Sequence, residues 1–252
     1  MSLGFAAIHT TSQATFHAIL DMVARPHYIP LLREEIERVI QEDGYEHDND
    51  GFQKLKKSSM PKLKKLDSFL KESQRVSPAS LSKIKISSVL PYHLLTTLVN
   101  MGRIATAPLA LSTGHTLPKG TRFAFPTYAV HTSSSTPTFD PTNNPSSTLP
   151  PDQFDGFRFA NLRAMPGQET KHQFVTTSPE SMNFGHGNHA CPGRFFASNE
   201  IKVVLIELLR NWDFRLKGDL DGVGGERPSN IELQMVVMPD TSVELEFRRR
   251  NV

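Results

Sequence analysis

Between Leu3 and Ala24 the apolar positions Phe5, Ile8, Phe16, Ile19, Leu20 and Val23 recur at helical intervals on more than one face. That pattern predicts a first helix lying deep in a core. Almost nothing precedes it to cap it, so the chain is expected to open partway through a longer fold. A second helix follows, with Pro30 in its first turn, Leu32, Ile36, Val39 and Ile40 on one face, and Gly44 near its stop. A third is predicted from Pro61 to Arg75, with Leu63, Leu66, Phe69 and Leu70 as its stripe. The clearest helix follows Cys191, where Ile201, Val204, Leu205, Leu208, Leu209 and Trp212 keep helical spacing. Thr121 to Val130 is rich in strand formers, although Pro126 weakens it as a strand. Near the end, Ile231, Leu233, Met235 and Val237 alternate, Pro239-Asp240 turns, and Val243, Leu245 and Phe247 alternate again, which predicts a β-hairpin. The expected class is mainly α with small antiparallel β-sheets (α+β), in one domain over residues 1–252.

Two stretches break these patterns. Ser77 to Met101 has neither a clean helical nor a clean strand period, and residues 82–101 are expected to be an insertion or a retained intron. Residues 131–153 hold five prolines and ten Ser/Thr, which predicts a long irregular surface loop. A formal charge of +2 over 252 residues is no electrostatic footprint for nucleic acid. No apolar run reaches the roughly 18 residues of a membrane span, and no positive charge precedes Leu3 to Ile8 as a signal peptide requires. As written, the chain is expected to be soluble. A lone cysteine, Cys191, excludes an intrachain disulfide.

That cysteine sits in Asn183-Phe184-Gly185-His186-Gly187-Asn188-His189-Ala190-Cys191-Pro192-Gly193-Arg194, just ahead of the clearest helix. A helix start offers unpaired N–H groups and a positive dipole end, which favour thiolate over thiol. Gly185, Gly187 and Gly193 allow tight turns and close backbone approach to a flat ligand, and Phe184 can shield the sulfur from water. By position alone a buried structural cysteine explains the residue as well. A zinc site of His186, His189 and Cys191 lacks a fourth ligand at usual spacing. A dinucleotide loop at Gly185-x-Gly187 lacks the buried strand it needs.

The spacing Phe-x-x-Gly-x-x-x-Cys-x-Gly resembles the haem-binding signature of the cytochrome P-450 superfamily, and especially its fungal members in secondary metabolism. Phe184, Gly187, Cys191, Gly193 and Ala197 match it, and His189 stands where many members place an arginine toward a haem propionate. Two further segments are similar to family motifs. Glu72-Ser73-Gln74-Arg75 matches the Glu-x-x-Arg pair, and Arg158, in Phe157-Arg158-Phe159, matches the arginine that completes a buried Glu-Arg-Arg network. Ala6-Ala7-Ile8-His9-Thr10-Thr11 looks like the oxygen-activating helix, with Thr10 as the proton-delivering hydroxyl and His9 in place of the usual acid; a plain buried helix is the bland alternative.

The resemblance implies haem b on an axial Cys191 thiolate, a structural role for Glu72, Arg75 and Arg158, and catalytic roles for Thr10 and His9. It also implies an NADPH-cytochrome P-450 reductase as electron donor, an apolar small-molecule substrate, and an endoplasmic-reticulum membrane surface for full-length members. Family chains are about twice as long, so this one corresponds to the C-terminal half of the cytochrome P-450 fold. The expected function is a haem-thiolate monooxygenase; the alternative is a truncated relic or interaction protein that holds no haem. Lys54, Lys56, Lys57, Lys62, Lys64, Lys65 and Lys71 read as a solvated face or as part of a basic docking surface for an acidic electron donor.

Overall fold

The computed structural model describes residues 3–47, 53–78, 81–85, 96–140, 142, 149–219, 222–233 and 236–251. Its helices are α1 (Leu3–Ala24), α2 (Tyr28–Asp43), α3 (Lys64–Val76), α4 (Thr127–Thr132), α5 (Arg158–Arg163) and α6 (Arg194–Asn211). The strands are β1 (Tyr45–His47), β2 (Gln53–Leu55), β3 (Leu81–Lys85), β4 (Thr96–Ile104), β5 (Leu109–Ala110), β6 (Thr116–Leu117), β7 (Arg122–Phe125), β8 (Trp212–Leu216), β9 (Asn230–Leu233), β10 (Val236–Pro239) and β11 (Leu245–Arg249). The chain is mainly α with small antiparallel sheets. The helical predictions hold in outline, and Gly44, at φ 69°, closes α2 by donating its N–H to the Ile40 carbonyl.

The main core joins four helices. Met22 and Val23 of α1, Leu32, Ile36 and Val39 of α2, Leu66 and Phe69 of α3, and Ile201, Leu205 and Leu209 of α6 are all buried together. An aromatic cluster then ties the chain before α5 to this core. Tyr28 meets Phe69, Phe154 and Phe157 edge-on at 5.4, 5.9 and 5.0 Å, and its hydroxyl accepts the Gly156 N–H at 3.0 Å. A Cβ on Gly156 would lie 2.8 Å from Phe69 and 2.9 Å from Tyr28, so only glycine fits there.

The central sheet has the order β7-β4-β3-β10-β9. It uses both described flanks of the segment expected as an insertion, since β3 pairs with β4 on one side and β10 on the other; residues 86–95 lie outside the described residues. The strand predicted over Thr121 to Val130 is shorter. β7 stops at Phe125, and Pro126, which has no N–H for a ladder, begins the turn into α4.

Other expectations need correction. The tail hairpin across Pro239-Asp240 does not form. β10 pairs with β9, while β11 pairs with β8, so the turn joins two separate sheets. At that turn the Asp240 carboxylate accepts the Ser242 N–H at 2.8 Å, and Phe247 reaches Trp212 and Phe214. The predicted surface loop 131–153 is anchored at its start, because His131, Thr136 and Phe139 are buried; residues 141 and 143–148 lie outside the described residues. Among the α1 side chains whose burial is described, depth comes late: Ala18, Leu20 and Met22 are fully buried, whereas Ile8 is 67% exposed.

Candidate functional site

α3 carries one pole of the site. Residues 66–75 of this helix are all buried, polar ones included. Glu72 and Arg75, one turn apart, share a face, and Glu72 Oε2 accepts Arg75 Nε–H at 2.7 Å while Oε1 accepts Nη2–H at 2.7 Å. The same Oε1 accepts Arg158 Nε–H at 3.2 Å and the Asp155 N–H at 2.8 Å. The two guanidiniums spend their remaining donors on backbone oxygens. Arg75 bonds the carbonyls of His131, Pro151 and Gln153, and Arg158 those of Leu149, Pro150 and Gln153. Two arginines and one carboxylate thus pin residues 149–155, whose carbonyls would otherwise be buried without donors.

A second hub on α3 escaped sequence reasoning. Asp67 accepts Lys202 Nζ–H of α6 at 2.5 Å, Arg163 Nη1–H of α5 at 3.1 Å and the Phe174 N–H at 2.9 Å. All three charged side chains are nearly inaccessible to solvent. Beside it, Ser68 Oγ accepts the N–H groups of Phe159 and Ala160 at 3.0 and 2.9 Å, capping α5 from another helix. The available signal was Asp67 and Lys202 on otherwise apolar helix faces, but no spacing rule links residues so far apart in the chain.

Lys71 overturns part of the lysine reading. It is buried rather than solvated, and its ammonium donates to the Gln173 and Thr176 carbonyls and to Ser181 Oγ at 2.9, 3.2 and 3.0 Å. Burial pulls its pKa down to about 8, against the opposing pull of Asp67. Lys71 therefore fastens α3 to the segment that runs into the cysteine loop, and it is no part of a basic surface.

The cysteine loop is the other pole. Phe184 packs edge-on to buried Phe174 at 5.2 Å, and its carbonyl accepts the Cys191 N–H at 2.7 Å. Gly185 and Gly187 take φ values of 70° and 68°, which glycine alone adopts without strain. Gly193 begins α6, and a Cβ there would lie 4.0 Å from Cys191 Sγ. Cys191 is a free, half-buried thiol ahead of an 18-residue helix whose first turn has no side-chain cap. His189 and Gly187 are exposed, and His9 and Thr10 lie exposed on the first half of α1, which packs against α3 and α6.

The donor set suits a thiolate-bound metal in a flat ring. The loop is glycine-lined, the cysteine precedes the positive end of α6, and the backbone of the aromatic residue Phe184 closes on it. Three buried polar atoms in the loop lack partners among the described residues: Arg194 Nε–H, a donor without an acceptor, His186 Nδ1 and, at the start of the loop, Asn183 Oδ1. Haem b carries two carboxylates, which are the acceptors such donors need. A zinc site is not supported: no group of three or more His, Cys, Asp or Glu able to hold a metal occurs among the described residues.

The cytochrome P450 family profile matches residues 1–247, and the chain belongs to that family. It is 51% identical to cytochrome P450 monooxygenase ascG of Acremonium egyptiacum, over 100% of this chain and 44% of that protein. Identity is 42% to cytochrome P450 monooxygenase BOA7 of Botryotinia fuckeliana, over 100% of this chain and 42% of the relative. It is 37% to the ent-kaurene oxidase of Gibberella intermedia, over 99% of this chain and 40% of the relative. The chain thus spans less than half the length of the relatives it matches. Among the described residues, no helix is long and apolar enough to cross a membrane.

Proposed function

We propose that the chain is the haem-bearing part of a monooxygenase that acts on an apolar small molecule in fungal secondary metabolism. The observation that carries the reading is the free Cys191 thiol ahead of α6, in a loop closed by the Cys191 N–H on the Phe184 carbonyl, within a cytochrome P450 chain. Bound haem would supply dioxygen activation, with one oxygen atom entering the substrate and the other leaving as water at the expense of two electrons and two protons. NADPH, through a cytochrome P-450 reductase, is the proposed electron source.

The chain's own residues have distinct tasks. Cys191 would hold the haem iron through its thiolate, and the α6 dipole favours its deprotonation. Phe184 keeps water from the sulfur, while His189 and Gly193 complete the cradle. Thr10 is the proposed proton-relay hydroxyl, assisted by His9. Glu72, Arg75 and Arg158 hold the scaffold and take no part in the chemistry. The ent-kaurene oxidase relative, named for a substrate of its own, supports an apolar substrate class.

The test is reconstitution. The purified chain is supplied with haem, reduced and exposed to carbon monoxide. A red-shifted Soret band of the thiolate type is expected, and Cys191→Ala should abolish it. A chain that folds but stays colourless overturns this reading in favour of a relic or interaction protein without haem.

A further inference from the structure

Away from the cysteine loop, a cavity of about 280 Å³ opens between α3, α4 and the segment 171–183. His131 lines it and is 1% exposed. Its Nε2 accepts the Met182 N–H at 3.2 Å, so the neutral ring carries its proton on Nδ1. That Nδ1–H, buried, has no acceptor among the described residues. Asn183 Oδ1, on the same wall, is also buried and unpartnered; turning the amide by half a turn would offer an N–H donor in its place. A buried donor without a partner has lost its water without compensation, and a ligand acceptor would restore the missing hydrogen bond.

The surroundings define the ligand's charge. Lys71, Arg75 and Lys171 line the cavity against a single carboxylate, Glu180. Thr138 holds one Glu180 oxygen through both its N–H and its hydroxyl. Burial depresses the His131 pKa to about 4, and the nearby charges of Arg75 and Lys71 push it the same way, the mark of a cationic enclosure. Phe139 and Phe159, whose rings meet at 6.5 Å, give the wall an apolar face beside the polar side chains of His172, Thr176, Ser178 and Ser181.

We propose that this cavity binds a small organic carboxylate, its charged end taking the His131 Nδ1–H and the Lys171 ammonium and its apolar body lying over Phe139 and Phe159. No residue of the Cys191 loop beyond Asn183 takes part, so the proposal stands or falls independently of haem. It is tested by calorimetric titration of the purified chain with benzoate, using benzamide and inorganic phosphate as comparators. Benzoate should bind saturably at one site, at least tenfold more tightly than either comparator. Lys171 is exposed, so Lys171→Met should leave the fold intact and weaken benzoate several-fold; His131→Phe should weaken it further. No saturable binding would mean that the cavity holds only water, and the proposal fails. It fails also if benzamide matches benzoate, if phosphate does, or if Lys171→Met leaves the affinity unchanged.

Discussion

α3 and the cysteine loop with the start of α6 obey opposite rules. On α3 even buried charges are matched: Glu72 holds two arginines, Asp67 holds Lys202 and Arg163, and Ser73 donates to Asp21. At the start of α6 the balance reverses. Phe195 and Phe196 are 57% and 69% exposed, Val203 and Val204 are also exposed, and Arg194 Nε lies buried without an acceptor among the described residues. The contrast separates two jobs. α3 is a scaffold whose interactions are closed within the chain, so damage there is read as lost stability. The cysteine loop is closed by the Cys191 N–H on the Phe184 carbonyl, so on the proposed function damage there should be read as lost haem binding.

The sharpest way to break that contrast is Glu72→Ala. Arg75 and Arg158 would remain buried without their carboxylate, and a loss of about 3–5 kcal/mol is expected in urea denaturation. A loss below 1 kcal/mol would mean that α3 is no more a scaffold than the loop is.

Acid should act next. Burial, followed by the charge of Arg227, lowers the His17 pKa from 6.5 to about 3. Between those values the unfolded chain takes up a proton that the folded chain refuses, so stability falls as pH falls below 6.5. His17→Gln keeps an acceptor for Arg227, whose guanidinium lies 2.7 Å from His17 Nδ1. It should flatten the decline by about 1.4 kcal/mol per pH unit across that window, seen in denaturation midpoints taken at pH 6 and pH 4.5.

Gly156→Ala forces a methyl group against Phe69 and Tyr28. It should cost about 1–3 kcal/mol, checked by thermal melting. Cys191→Ala sharpens the comparison from the other side, since it removes a half-buried thiol. Its stability should change by less than about 1 kcal/mol while the reduced carbon monoxide spectrum disappears. A large stability loss in that variant would place the cysteine in the scaffold instead.

The amino-acid sequence alone carried whatever depends on local pattern. Helical periodicity located α2, α3 and α6, and a glycine-rich loop ahead of a helix singled out Cys191, because backbone geometry and the helix dipole are properties of a few neighbouring residues. The Glu72-Arg75 pair was legible for the same reason, being one helical turn apart. Only tertiary packing decided the rest. It turned Lys71 from a surface charge into a buried clamp, since burial depends on which segment folds across the helix. It joined Asp67 to Lys202 across 135 residues. It also sent β11 to β8 rather than back onto β10, because pairing follows the sheet edge and aromatic contacts available in space, which alternation along a strand does not encode.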